Sequence, residues 1–375
     1  MKKYIIVALA AILALPACTI TDIDVPWTRE EISFEVARYA PQTRAEQGMV
    51  YSTSNEFGTY AWFSDDGFTT IQNFMDNERV GFVSPVWKTV DHTFYWPKTG
   101  ALTFLSYSPF QATGGPAVTR SSIVFPTTVV DPDNPVDILY ADPVTVLMDN
   151  DPKNTDEITD DLFVGTIDSG FKGVPTLFHH SLAKFTLRVQ ANFLEWGTPP
   201  DSTSWEVKLV SAEIGGLYTK GDLSLTWTSG AWNYPTNRVW SNPSDRMTTN
   251  VELLTAPIQL KTEKADTVRA DYYVLPQTLL PASTTTNRQA MYLTFEIKTK
   301  LANGKELNET FFKAIDFVSL GLEHWKMNQN IVYTLKFKPT HIGDGSADTP
   351  EDVTINFDPA VSDWETSSIE INVQL

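Results

Sequence analysis

Cysteine is nearly absent. Cys18 is the only one in 375 residues, which excludes an intramolecular disulfide and any cysteine-built metal site. Histidine is scarce as well: His92, His179, His180, His324 and His341 show neither HExxH nor another close ligand spacing. Neighbouring His179 and His180 would fall on opposite faces of a strand, poor geometry for one metal. The chain has no GxSxG elbow, Walker loop or GxGxxG. The acidic run at residues 149–161 lacks the central glycine and closing glutamate of an EF-hand loop. No catalytic residue, metal or cofactor is therefore expected, and the chain reads as non-enzymatic. Positive charge is also short, with Lys+Arg 28 against Asp+Glu 46 and a net charge of −18. That balance argues against nucleic acid or an anionic lipid surface as partner.

What the N-terminus does contain is an export signal. Lys2 and Lys3 precede an apolar run from Tyr4 to Leu15, too short to span a bilayer and proportioned like a signal-peptide core. Leu15-Pro16-Ala17-Cys18 follows, a spacing similar to the lipobox of bacterial lipoproteins. On that reading residues 1–17 are removed and Cys18 carries the lipid. The alternative is an ordinary signal peptide with a cysteine at its edge. More than one acyl chain is needed for a stable anchor.

Beyond the signal the dominant pattern is period two. It appears at Leu102-Phe104, Phe185-Leu187-Val189, Val207-Leu209, Leu293-Phe295-Ile297, Val332-Thr334-Lys336 framed by Leu335-Phe337, and Val353-Ile355-Phe357. These β-branched and aromatic runs are separated by Gly, Pro, Asn and Asp clusters, as in antiparallel sandwiches. The expected fold is all-β with little helix. A boundary near residue 180 divides an N-terminal sandwich domain, 18–180, from a C-terminal one, 181–375. The tryptophans Trp227, Trp232 and Trp240, with Tyr234, cluster among Asn and Ser. Such a cluster is a candidate glycan platform, and core packing is the competing reading.

Several stretches together resemble the fimbrillin family, the FimA- and Mfa-like subunits of type V pili. They are Tyr95-Trp96-Pro97 with Leu102 to Pro109, Asp137-Ile138-Leu139-Tyr140-Ala141, Phe178-His179-His180-Ser181-Leu182-Ala183-Lys184, Trp325 to Thr334, and Val361-Ser362-Asp363-Trp364-Glu365. The resemblance implies two tandem β-sandwich domains of transthyretin-like, Greek-key type, and a lipoprotein precursor at the outer membrane. It also implies maturation by an arginine-specific protease and polymerisation by donor-strand exchange with other pilus subunits at the cell surface.

Residues of this chain can be set against that scheme. The removable first strand within 18–44 would be Ile32-Phe34-Val36, and the favoured cut lies between Arg44 and Ala45, with Arg29 and Arg38 as competitors. The donor candidate is residues 368–375, where Ile369, Ile371, Val373 and Leu375 alternate with polar residues. Burying those side chains is worth on the order of 6–12 kcal/mol before association costs. The same segment could instead pair within its own domain. The alternative function is a tip adhesin or surface glycan-binding lipoprotein that keeps its lipid and meets a host or glycan receptor.

Overall fold

The computed structural model describes residues 31–36, 51–65, 70–97, 100–148, 173–191, 203–228, 235–281, 288–338, 354–363 and 369–370. Nearly all the regular structure described is strand, as the alternation predicts. The first half contains β1 (Ser33–Val36), β2 (Phe57–Ser64), β3 (Ile71–Val83), β4 (Val86–Thr89), β5 (Gly100–Ser108) and β6 (Ala117–Thr119). It continues with β7 (Ser122–Val129), β8 (Leu139–Ala141), β9 (Val144–Met148), β10 (Val174–Thr176) and β11 (Phe178–His180).

The second half runs through β12 (Ala183–Ala191), β13 (Ser204–Gly215), β14 (Tyr218–Thr226), β15 (Asn237–Arg246), β16 (Val251–Glu252), β17 (Ile258–Gln259) and β18 (Asp266–Val274). It ends with β19 (Gln277–Thr278), β20 (Ala290–Lys300), β21 (Glu306–Asp316), a 3-10 turn (Phe317–Leu320), β22 (His324–Trp325), β23 (Gln329–Lys338), β24 (Thr354–Asp363) and β25 (Ile369–Glu370).

In the first half one nine-stranded sheet runs β10-β1-β4-β3-β2-β5-β8-β11, with β9 paired to β5. The sheet curls so that one face encloses a single core, to which Phe34, Phe57, Met75, Trp87, Phe104 and Val146 all contribute. In the second half the sheets β18-β12-β23-β24-β25 and β16-β13-β20-β21 supply the largest core from facing side chains. Phe185, Leu187, Val189, Leu293, Phe295, Leu335 and Phe337 lie in it, the one-sided burial that period two dictates. The core face of β23 is Ile331, Tyr333, Leu335 and Phe337, so Val332 points to the other side.

The break near residue 180 separates β11, in the first sheet, from β12, in the second. A third sheet ignores that break. Its order is β15-β14-β7-β6, and β7 pairs antiparallel with β14 from Thr226↔Ser122 to Lys220↔Val129. The halves are therefore also joined by a backbone ladder. The shared sheet covers the outer face of β2 and β5, where Tyr60, Leu105 and Tyr107 meet Phe125, Leu223, Leu225 and Trp227. This explains why every residue of β5 is buried: Leu102 and Phe104 enter one core, Leu105 and Tyr107 the other.

One carboxylate sits at two irregularities of the shared sheet. The register of β14 shifts against both neighbours beside Asp222. There Asp222 accepts the backbone N–H of Thr127 at 2.7 Å and the Asn242 side-chain amide at 2.8 Å. Both partners have positive φ, 55° for Thr127 and 51° for Asn242, a rare conformation for a β-branched residue. These hydrogen bonds hold the Asp222 carboxyl below the usual carboxylate range, the Asn242 bond being the larger cause.

Candidate functional site

The strand β1 forms because Ile32, Phe34 and Val36 alternate with Ser33 and Glu35, and the chain around it supplies a slot for that alternation. Ile32 is 1% and Phe34 3% exposed, Val36 packs against the same core, and Glu35 is exposed. On one side β1 runs parallel to β10, with Phe34↔Val174, Glu35↔Pro175 and Val36↔Thr176 in register. On the other it is antiparallel to β4, with Ser33↔Lys88 and Phe34↔Trp87. Pro175 is accommodated because β10 ends the sheet's strand order and a missing N–H is tolerated on an edge.

The Phe34 ring sets the floor of this slot. It meets Phe57 edge-on at 5.7 Å between centroids and Phe104 at 5.8 Å, the geometry aromatic quadrupoles favour. Tyr51 stacks on Phe178 at 4.9 Å and also contacts Phe57; its hydroxyl pairs with Ser108 at 2.8 Å. Burial pushes the Tyr51 hydroxyl up to about 12. At the upstream end Ile32 donates its N–H to Phe94 O at 2.9 Å, and Lys88 lies 3.2 Å from Glu31.

Gly173 lets β1 come this close. A Cβ built there would lie 2.9 Å from Phe34 C, 2.9 Å from Ser33 O and 3.0 Å from Glu35 N. All three are backbone atoms, so no side-chain rotation relieves the contact. A strand fits beside β10 because position 173 has no side chain. Sequence reasoning missed Gly173, and nothing in a lone glycine before Val-Pro-Thr would have revealed it.

Cys18, Arg29, Arg38, Arg44, Ala45, Trp232, Ile371, Val373 and Leu375 lie outside the described residues. Ile369 lies in β25, which pairs with β24 through Val361↔Ile369 and Ala360↔Glu370 at the end of the second half's own sheet.

Trp227 does not suit the glycan reading. It is 2% exposed and its indole N–H donates to Asp142 Oδ1 at 3.0 Å, so no ring face is open to a sugar. Trp240 is half-buried and donates to Ser181 O at 2.8 Å.

Two of the stretches that carry the resemblance turn out to be paired strands. Asp137 to Ala141 and Phe178 to Lys184 meet where β8 and β11 align, with His179↔Tyr140. His179 Nε2 pairs with Asp142 Oδ2 at 2.7 Å, and His180 pairs with Asp137. Asp142 thus joins His179 to Trp227. Ser181 donates to Ile138 O at 2.7 Å, and Lys184 lies 2.7 Å from Asp271. The histidines are structural partners at the junction of the halves. Among the described residues no group of His, Cys, Asp and Glu could hold a metal ion, and no helix is long and apolar enough to cross a membrane.

Comparison with known proteins gives this architecture a context. A solved fimbrial protein from Bacteroides vulgatus is 16% identical, covers 90% of this chain and 100% of its own, and superposes with a TM-score of 0.53. Lower similarity extends to the tip fimbrial protein Mfa3 of Porphyromonas gingivalis, 11% identical over 89% of this chain and 100% of its own, TM-score 0.34. The fimbrial anchor protein Mfa2 of Porphyromonas gingivalis is 11% identical over 91% of this chain and 98% of its own, TM-score 0.27. No curated protein matches. A sequence model described as fimbrillin-like matches residues 43–364, most of the chain, and on that match the chain belongs to the fimbrillin-like family of cell-surface fimbrial proteins.

Proposed function

We propose that the chain is a subunit of a surface pilus, exported as a lipoprotein through Cys18, cut between Arg44 and Ala45, and joined to neighbours by exchange of the β1 strand. The observation that carries this reading is the position of β1. It is an interior strand held by a short ladder, and the segment that follows it contains Arg38 and Arg44. The family match begins at residue 43, beyond β1. Loss of β1 would strip the pairing partners from β4 and β10 and open Phe57, Trp87, Phe104 and Val174 to water. Such an apolar slot between two free edges calls for another strand. Residues 368–375 of a neighbouring subunit are the proposed occupant, and an arginine-specific protease is the proposed trigger.

The test is limited digestion of a Cys18→Ala precursor with an arginine-specific protease, followed by mass spectrometry and a non-boiled gel. A single cut after Arg44 with SDS-resistant, heat-sensitive ladders is expected, and deleting residues 369–375 should abolish the ladder. An uncut Arg44, or a cut chain that stays monomeric, would rule out polymerisation by strand exchange and leave a lipid-anchored adhesin as the better description.

A further inference from the structure

A cleft of about 520 Å³ opens beside the shared sheet, lined by Arg238 and Trp240 of β15, Thr278 of β19, His324 of β22 and Lys326 after it. Its volume lies within the roughly 300–1,000 Å³ range of small-molecule sites. Its charge runs against the rest of the protein. The chain carries a net −18, yet among the described residues lining the cleft none is Asp or Glu. Glu323 stands at the rim, 4.0 Å from His324 Nε2.

The floor of the cleft is fixed by hydrogen bonds within the protein. Gln277 accepts the Tyr218 N–H at 3.0 Å and donates to Leu275 O at 3.0 Å. The Trp240 indole N–H is committed to Ser181 O at 2.8 Å. Thr278 Oγ1 and His324 Nδ1 pair at 3.1 Å, which sets the histidine ring against the neighbouring strand. The side chains of Arg238, Thr278, His324 and Lys326 are exposed, around the half-buried Trp240.

We infer that this cleft binds a carboxylate-bearing sugar. A guanidinium grips a carboxylate through paired N–H donors, and an ammonium adds a point charge beside it. An indole wall matches the C–H face of a pyranose ring, which an acidic peptide side chain does not present. The site is independent of β1 and stands whether or not strands are exchanged.

The test is calorimetric titration of the purified full chain with 3′-sialyllactose, digalacturonic acid and lactose. At least one acidic sugar should bind, weaken as salt rises, and bind about tenfold less tightly after Arg238→Ala or Lys326→Ala. Lys305→Ala, in the β20–β21 turn, should leave binding unchanged. Circular dichroism of each variant establishes that these surface changes leave the fold intact. The proposal is overturned if neither acidic sugar binds at about 10 mM, if lactose binds as tightly, or if both cleft variants retain full affinity.

Discussion

The strands β1 and β23 occupy the same kind of position, one in each half. Each has a parallel neighbour on one side and an antiparallel neighbour on the other. They differ in length of engagement. The β23 ladder with β12 runs from Ala183↔Gln329 to Ala191↔Phe337, and that with β24 from Gln329↔Asp363 to Lys338↔Thr354. In contrast, among the described residues β1 is aligned with β10 over Phe34 to Val36 and with β4 at Ser33 and Phe34, beside an isolated bridge between Glu31 and Tyr95. Backbone ladders and buried side chains accumulate along a strand, so β23 is part of the cooperative core while β1 belongs to the less stable end of the molecule. The proposed exchange of β1 therefore asks less of the sheet around it than loss of β23 would.

The largest effect should come from breaking the long partner. Tyr333 is buried against Phe185 and Phe317 and accepts the Trp325 indole N–H at 2.9 Å. Tyr333→Ala should cost about 3–5 kcal/mol, seen as a lower midpoint in urea unfolding of the second half. A midpoint shift below about 1 kcal/mol would mean that β23 is no better anchored than β1.

A smaller, more local effect is expected at the short partner. Gly173→Val pushes two methyl groups into the backbone of β1, an overpacking of about 1–3 kcal/mol. Hydrogen exchange should then show amides 33–36 losing protection while those of β23 keep theirs. Loss of protection in both strands together would show that β1 and the second half unfold as one unit, and the comparison would break.

The smallest effect concerns the sheet between them. Because Asn242 and Thr127 hold the Asp222 carboxyl below its usual range, its contribution is complete above the ordinary carboxylate pKa of about 3.9. It is lost as the pH falls through the lower folded value. Asp222→Asn should therefore flatten a small part of the acid limb of a pH–stability curve and leave stability near neutrality little changed, since the group is exposed. An unchanged acid limb would show that the two shifts in the β14 register hold without that charge.

How much of this was legible depended on how many faces a strand buries. The second half could be read because Phe185, Leu187, Val189, Leu293 and Phe295 bury one face each, and a one-sided strand writes its pairing into period two. The strand β1 was legible for the same reason, through Ile32, Phe34 and Val36. The strand β5 carries two cores, so the alternation Leu102-Phe104 gives way to Leu105-Tyr107 on the opposite face. A polar strand such as β15, from Asn237 to Arg246, is mostly exposed and shows no alternation at all. The pairing of β7 with β14 joins residues about a hundred positions apart, and no local pattern encodes such a contact. Gly173 and the cleft beside Trp240 have the same origin, since each exists only once distant segments meet.

The ladder between β7 and β14 also has a mechanical meaning. Its hydrogen bonds lie across the two strands, and β7 belongs to the first half of the chain while β14 belongs to the second. A linker between domains can swing, but a ladder yields only when its bonds rupture. Tension that pulls the halves apart is thus taken up by this seam as well as by the short turn at Ser181 and Leu182. The two halves are thus coupled by hydrogen bonds between strands as well as by the chain that runs from one to the other.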